Sequence, residues 1–314
     1  MQIQFYKARG HDRRLEPKDL PRVRLTADSL LWVNGTPDEL EKLTLPKAVS
    51  EGAAQCRLPD PGVRVHDDFY CVALPVLCST GAEMNSVLSL VVGQDWICSI
   101  GEGRAIDFDE MVSHDAADTT KGKLSGTTFG AALIAEHFGR VHERIHSINR
   151  EIDRIEEGVL TNRERTNTLQ VMAVLRRQVS RLRELVDTYR AIIHALTRPD
   201  FLPDMAPDDK KHLAHLLSGY ERLEDEVARL RDTVVASFEL YATRVAQDTN
   251  RLLRTLTFFT IGIGLIGALA GIFGMNFETA LFKEGRFGFM LATSIMAGIL
   301  IATAIVAIRS YRKP

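Results

Sequence analysis

Residues Thr255–Phe277 read TLTFFTIGIGLIGALAGIFGMNF, 23 residues without a charge. Phe287–Ile308 is a second uncharged run, of 22 residues. Each reaches the roughly 20 residues that a helix needs to cross a bilayer. The start, MQIQFYKARGHDRR, has no apolar core of the kind that makes a signal peptide. Two true spans are therefore expected, both behind a large soluble part.

Chain averages hide this arrangement. At 314 residues, 45% apolar and 25% charged, the composition is that of an ordinary soluble protein. A net charge of −2 gives no sign of a nucleic-acid partner. Cys56, Cys71, Cys78 and Cys98 form no CxxC pair, which speaks against a zinc ribbon. Four free thiols and a reducing compartment are expected. Arg251 and Arg254 precede the first run; Arg309, Arg312 and Lys313 follow the second. The connecting segment Asn276–Arg286 balances its acids and bases. The positive-inside rule then places both termini in the cytoplasm and the connection outside.

Residues 1 to about 125 read as mixed α/β, with strand-like runs IQFY, SLLWVNG, YCVALPVL, VLSLVVG and WICSI. ELEKLTLPKAV and FDEMVSH read as short helices. Farther on, the apolar spacing changes. Ile134, Phe138, Val141, Ile145, Ile148, Ile152, Ile155 and Val159 alternate steps of four and three, a heptad stripe. A second stripe runs Leu169, Met172, Leu175, Val179, Leu182, Val186, Tyr189, Ile193, Leu196. Pro199, Pro203 and Pro207 break the pattern, and Asp208 is a candidate N-cap. The third stripe runs Leu213, Leu216, Tyr220, Leu223, Val227, Leu230, Val234, Phe238, Tyr241, Val245. No proline occurs between Asp208 and Met275, so one helix is expected to run into the first span, about 100 Å at 1.5 Å per residue.

Continued at the same step, Glu239, Thr243, Ala246, Asn250, Leu253, Thr257, Thr260, Gly264, Gly267 and Gly271 share one stripe aimed at Asn276. The neighbouring faces carry Phe258, Phe259, Ile261, Ile263, Leu265, Ile266, Leu269 and Ile272. Two readings stand. Small residues let membrane helices approach closely, and Gly264-x-x-Gly267 suits such a contact. Alternatively, several copies around an axis would line a narrow pore, with a ring of Glu239 carboxylates below and Leu253 as a constriction that gates by dewetting. One hairpin cannot enclose a pore, so the second reading requires an oligomer.

Gly274-Met275-Asn276 ends the first span; one more span and a short basic tail follow. With a long uninterrupted helix and an α/β region before it, this arrangement resembles the CorA family of divalent-cation transporters. The resemblance implies a homopentameric funnel. In it Gly274, Met275 and Asn276 form the entrance, Asn276 the selectivity ring, Leu253 and Leu256 the hydrophobic gate, and Asn250 a polar ring. Glu239 falls near the family's regulatory acidic sites. Thr257, Thr260, Gly264, Gly267 and Gly271 complete the lining. Two features depart from the family pattern: the loop NFETALFKEGR lacks the acidic Met-Pro-Glu-Leu element, and Leu265 stands near a customary proline. The run EGR before Phe287 is similar to the zinc-transporting ZntB branch.

The expected fold is an α+β membrane protein. Its parts are a cytoplasmic α/β domain at 1–128, antiparallel long helices at 129–207 and a stalk helix at 208–254. A first span at 255–277, an external loop at 278–286, a second span at 287–308 and a basic cytoplasmic tail at 309–314 follow. The expected function is transport across the inner membrane of Mg2+, with Co2+ and Ni2+ as further cargo. Its partners are membrane lipid and further copies of the chain; there is no cofactor and no enzymatic activity. Zn2+ transport, proton-coupled, is the alternative, and a membrane-anchored coiled-coil sensor is the alternative of another class.

His142-Glu143-Arg144-Ile145-His146 matches HExxH on a helix, the spacing by which two histidines chelate zinc. Val141 and Ile145 take the buried stripe, so both histidines flank it on a charged surface. His137, the nearest third ligand, sits at an awkward step of five. The readings left open are solvated surface, a regulatory metal contact and, least, protease chemistry. His212 and His215, with Glu221, Glu224, Asp225 and Glu226, form a second candidate cytoplasmic cluster. Asp67-Asp68 and Asp107-x-Asp109-Glu110 are candidates by composition alone.

Overall fold

A computed structural model describes residues 1–7, 12–26, 28–42, 44–56, 60–76, 86–101, 125–161, 167–202, 205–274 and 285–312. The strands are β1 (Gln2–Lys7), β2 (Arg13–Arg14), β3 (Ser29–Gly35), β4 (Gly62–Val65), β5 (Phe69–Val76), β6 (Ser86–Gly93) and β7 (Trp96–Ile100). The helices are α1 (Pro37–Glu41), α2 (Lys47–Gln55), α3 (Gly126–Thr161), α4 (Thr168–Leu196), α5 (Pro207–Gly274) and α6 (Gly285–Arg312). A 3-10 turn occupies Pro17–Arg22. The expected helix FDEMVSH and the acidic residues Asp107, Asp109 and Glu110 lie outside the described residues.

The strands form one seven-stranded sheet in the order β2-β1-β3-β7-β6-β5-β4. Only β3 and β7 pair in parallel among the described strands. Side chains alternate between the two faces. Ile3, Phe5, Leu31, Val33, Cys71, Val91, Trp96 and Cys98 share one core with Leu20, Leu40, Val49 and Cys56 from the turn and α1–α2. The other face meets the long helices: Phe129 of α3 lies 5.3 Å from Tyr6 and 5.1 Å from Trp32, ring centre to ring centre. Because both faces are covered, β5 is buried almost throughout and reads as an apolar run without alternation. Within the sheet, the Trp32 indole N–H donates to Ser99 Oγ at 2.9 Å, and Ser99 donates to Asn34 Oδ1 at 2.9 Å. No polar atom of that buried chain is left unmatched.

The start of α3 is fixed by close approach. The Gly126 N–H donates to Gln94 O at 2.8 Å. A Cβ on Gly126 would fall 2.0 Å from Gly93 O, so the residue must be glycine there. Two expectations are corrected. ELEKLTLPKAV divides into α1 and α2, because Pro46 has no N–H to continue the first helix. Cys56 and Cys71 are not free thiols. They are joined with Cα atoms 5.9 Å apart, because the β5 register turns Cys71 toward the end of α2. Cys98 is free and buried, and burial pushes its thiol up to about 12. Cys78 lies outside the described residues.

The chain divides into two units, Met1–Gly158 with Asn162–Val235, and Val159–Thr161 with Ala236–Pro314. In the first unit, the three heptad stripes are buried apart from Leu169 at the α4 start and half-buried Ile155. A buried hydrogen-bond chain ties α3, α4 and β5. Tyr189 donates to Pro75 O at 2.8 Å, so its oxygen accepts from His137 Nε2, 2.6 Å away. His137 is 4% exposed. Burial, with the Arg140 charge nearby, lowers its pKa from 6.5 to about 4.

The native state therefore holds His137 neutral while the unfolded chain protonates it below about 6.5. Stability contributed by this site is present above that pH and is lost as pH falls toward 4. The full loss is on the order of 3 kcal/mol, from the pKa difference and about 1.4 kcal/mol per unit. Thermal unfolding of the purified protein between pH 7 and pH 4 checks this. Wild type is expected to lose more stability across that range than His137→Phe, and equal losses would remove the role of His137.

Candidate ion pathway

α5 runs for 68 residues without a break, because no proline and no capping residue interrupts it until Gly274. Its last part and α6 are each long and apolar enough to cross a membrane. In the second unit these two helices meet through a definite face. Gly262 is the buried residue on this part of α5, and a Cβ there would lie 3.0 Å from both Thr303 Cγ2 and Thr303 Oγ1 of α6. Arg251, Thr255, Phe258, Ile266 and Leu269 flank Gly262 as half-buried residues, three or four positions apart. Met296, Ile299 and Thr303 are the matching half-buried positions of α6.

A helix turns about 100° per residue, so Gly264 lies about 200° round from Gly262. That is nearly the opposite side. Asn250, Leu253, Leu256, Thr257, Thr260, Gly264, Gly267 and Gly271 are all exposed. Nothing lies within 4 Å of the point where a Cβ would stand on Gly264, Gly267, Gly271 or Gly274. The small-residue stripe is thus not the seam of the hairpin, and the packing alternative within one chain is answered by Gly262.

The stripe's hydroxyls are already committed as donors. Thr257 Oγ1 donates to Leu253 O at 2.8 Å and Thr260 Oγ1 to Leu256 O at 2.9 Å. Each hydroxyl therefore presents lone pairs, not a hydrogen, to its surroundings. Such a surface accepts from the waters of a cation and repels no positive charge. Glu239 is exposed on the same helix. Gly274 closes the described part of α5, while Met275, Asn276 and the loop with Glu278, Lys283 and Glu284 lie outside the described residues.

The soluble candidates separate differently from expectation. Among the described residues, no three His, Cys, Asp or Glu side chains converge as a metal-ligand set. Neighbours on a helix point round its circumference, so the proposed acidic group divides: Glu224 pairs with Arg190 of α4, and Glu226 with His142 of α3. His137 is held by Tyr189 in the interior and cannot join His142 and His146. Glu143 is exposed, and among the described residues no third ligand completes a protease constellation with His142 and His146.

Residues 35–309 match the family model described as CorA-like Mg2+ transporter protein. The chain is 26% identical over 170 residues to the cobalt/magnesium transport protein CorA of Thermotoga maritima, covering 54% of this chain and 47% of that protein. It thus spans about half the length of that relative. To the protein of the same name from Methanocaldococcus jannaschii it is 21% identical over 305 residues, covering 91% of this chain and 92% of the other. The complete structure of the CorA magnesium transporter from Methanocaldococcus jannaschii superposes with a TM-score of 0.72 at 16% identity, covering 98% of this chain and 97% of that one. At that identity the likeness is one of fold.

The hairpin geometry makes a paired prediction. Gly262→Val is expected to lower the thermal stability of the detergent-solubilised protein by about 1–3 kcal/mol, the usual effect of overpacking. Gly264→Ala, which meets open space, is expected to leave it unlowered. Equal losses in the two variants would remove Gly262 as the contact face.

Proposed function

The chain belongs to the CorA-like Mg2+ transporter family, and from that premise we propose that it conducts divalent cations through a homopentameric pore lined by α5. One observation carries the reading: the face of α5 opposite the Gly262–Thr303 contact is uncovered from Asn250 to Gly271, and apart from Leu253 and Leu256 it carries small or polar residues. Copies of the chain placed around an axis would enclose that face, with α6 outside. Both termini are then cytoplasmic, as the flanking arginines require.

The chemistry suits a hydrated ion. Mg2+ holds six oxygens in octahedral array and gives up water reluctantly. A ring of Asn276 amides at the Gly274-Met275-Asn276 entrance would accept from those waters without the grip of carboxylates. Thr257 and Thr260 would continue the acceptor lining. Leu253 and Leu256 would form a narrow apolar constriction beneath, and Asn250 and Glu239 polar rings farther in. Weak, repeated binding of this kind allows both entry and release. The membrane potential then drives a dication inward with about 4.6 kcal/mol per 100 mV, twice the single-charge value. Mg2+ is the leading cargo. Co2+ is next, as the names of the two CorA relatives pair cobalt with magnesium. Domain limits follow the same reading: soluble α/β part, long helices, stalk, two spans and basic tail.

Uptake of Mg2+, Co2+ and Zn2+ into proteoliposomes tests the proposal, under an imposed potential and then a proton gradient. Mg2+ is expected to enter in response to potential, with at least about a tenfold loss in Asn276→Ala, the scale set by about 1.4 kcal/mol of lost recognition. Zn2+ entry governed by the proton gradient would reassign the cargo. No entry from a folded, oriented oligomer would reject the pore in favour of a non-conducting sensor. Glu239→Ala is expected to weaken inhibition by internal Mg2+; unchanged inhibition would strip Glu239 of that role.

A further inference from the structure

The HERIH segment is left unused by the pore, yet its two histidines are arranged in a particular way. His142 Nδ1 lies 2.6 Å from Glu226 Oε2, across from α3 to α5. On the other side of the same ring, His142 Nε2 lies 2.9 Å from His146 Nε2. The two rings stand edge to face, their centres 4.3 Å apart and their planes at 82°. With both rings neutral, the partners set the protons. Glu226 can only accept, so His142 carries its proton on Nδ1 and its Nε2 is bare. His146 donates to that bare nitrogen.

We propose that His142 and His146 chelate a transition-metal dication, with Glu226 as the carboxylate that holds His142 in its metal-binding tautomer. Three observations support this. First, the spacing of four brings both Nε2 atoms to one point. Two nitrogens at about 2.0–2.1 Å from a tetrahedral metal stand about 3.3 Å apart, so the rings need to part by a few tenths of an ångström and swing until both lone pairs meet beside the N···N line. His146 meets the requirement by moving its proton from Nε2 to Nδ1. Second, a ligating histidine characteristically donates its other N–H to a carboxylate, which fixes the ring and raises its basicity. Glu226 already does this, on a partner helix and 23% exposed.

Third, an ion can reach the pair. His146 is exposed on the surface of α3, and His142 with Glu226 lines an open groove of about 570 Å³ between α3 and α5, kept wide by Ala132, Ala135, Gly139 and Gly219. Glu226 stands behind His142 and does not converge with the two nitrogens, so the protein supplies two ligands and water the rest. Two imidazoles favour Co2+, Ni2+, Cu2+ or Zn2+ and not Mg2+, which takes oxygen ligands. The site lies wholly in the soluble unit and stands whether or not the chain conducts.

Co2+ titration of the full-length protein in detergent tests this, read by calorimetry and by the visible absorption that separates nitrogen-bound from oxygen-bound Co2+. Wild type is expected to bind one nitrogen-ligated Co2+ per chain, unaffected by a tenfold excess of Mg2+. His142→Ala with His146→Ala is expected to abolish that signal. Glu226→Gln, close in shape, is expected to weaken it by about 10–100-fold. Because these side chains are partly exposed, metal-free melting should match wild type. A nitrogen-ligated signal that survives the double substitution, no such signal in wild type, or displacement by Mg2+ would each overturn the site.

Discussion

The proposed pathway depends on one close contact, Gly262 of α5 against Thr303 of α6. A side chain there would crowd Thr303 and force the two helices to give, and the position of the contact decides which side of α5 the hairpin occupies. Everything about 200° away, from Gly264 through Gly271, is then left for something other than the chain's own second span. Threonines on the uncovered side return their hydroxyl hydrogens to the helix backbone. These threonines thus add polarity without exposing donors, which is compatible both with a lipid-embedded helix and with a column of hydrated cations.

The soluble unit is organised by a different requirement, that both faces of a seven-stranded sheet be covered. α1 and α2 cover one, and the N-terminal part of α3 reaches the other through Phe129. Gly126 sets that join, because its backbone passes directly over the β6–β7 turn. His137, Tyr189 and Pro75 then lock helix to helix to strand. Arg190 adds a more exposed tie from α4 to Tyr220 and Glu224 of α5. These ties hold α3 and α5 each to α4, so both helices that carry the proposed metal site are anchored to a common neighbour.

How legible each feature was depended on how locally it was encoded. β3 and β7 coincide with SLLWVNG and WICSI, since runs of β-branched and aromatic residues buried on both faces need no partner to be recognised. β2 and β4 escaped notice. Arg13–Arg14 and Gly62–Val65 are edge strands, exposed or half-buried, and they exist because β1 and β5 offer them a ladder. The Cys56–Cys71 pair was equally invisible, being made by the register of β5 against the end of α2. The spacing of His142 and His146 was plain, but their carboxylate partner stands 84 residues from His142 in the chain.

By itself the sequence determined the periodicities: three heptad stripes, an unbroken helix from Asp208 into the first span, two apolar runs and the small polar stripe along the first. Each follows from the 3.6-residue helical turn and the absence of proline, which are local properties of a chain. Tertiary structure alone decided the use of each face. Gly262, Gly264 and Gly267 are the same residue type, and nothing local distinguishes the one that touches Thr303 from those that touch nothing. That choice rests on which surface of α6 arrives opposite, a relation between segments some forty residues apart that no spacing within either segment encodes.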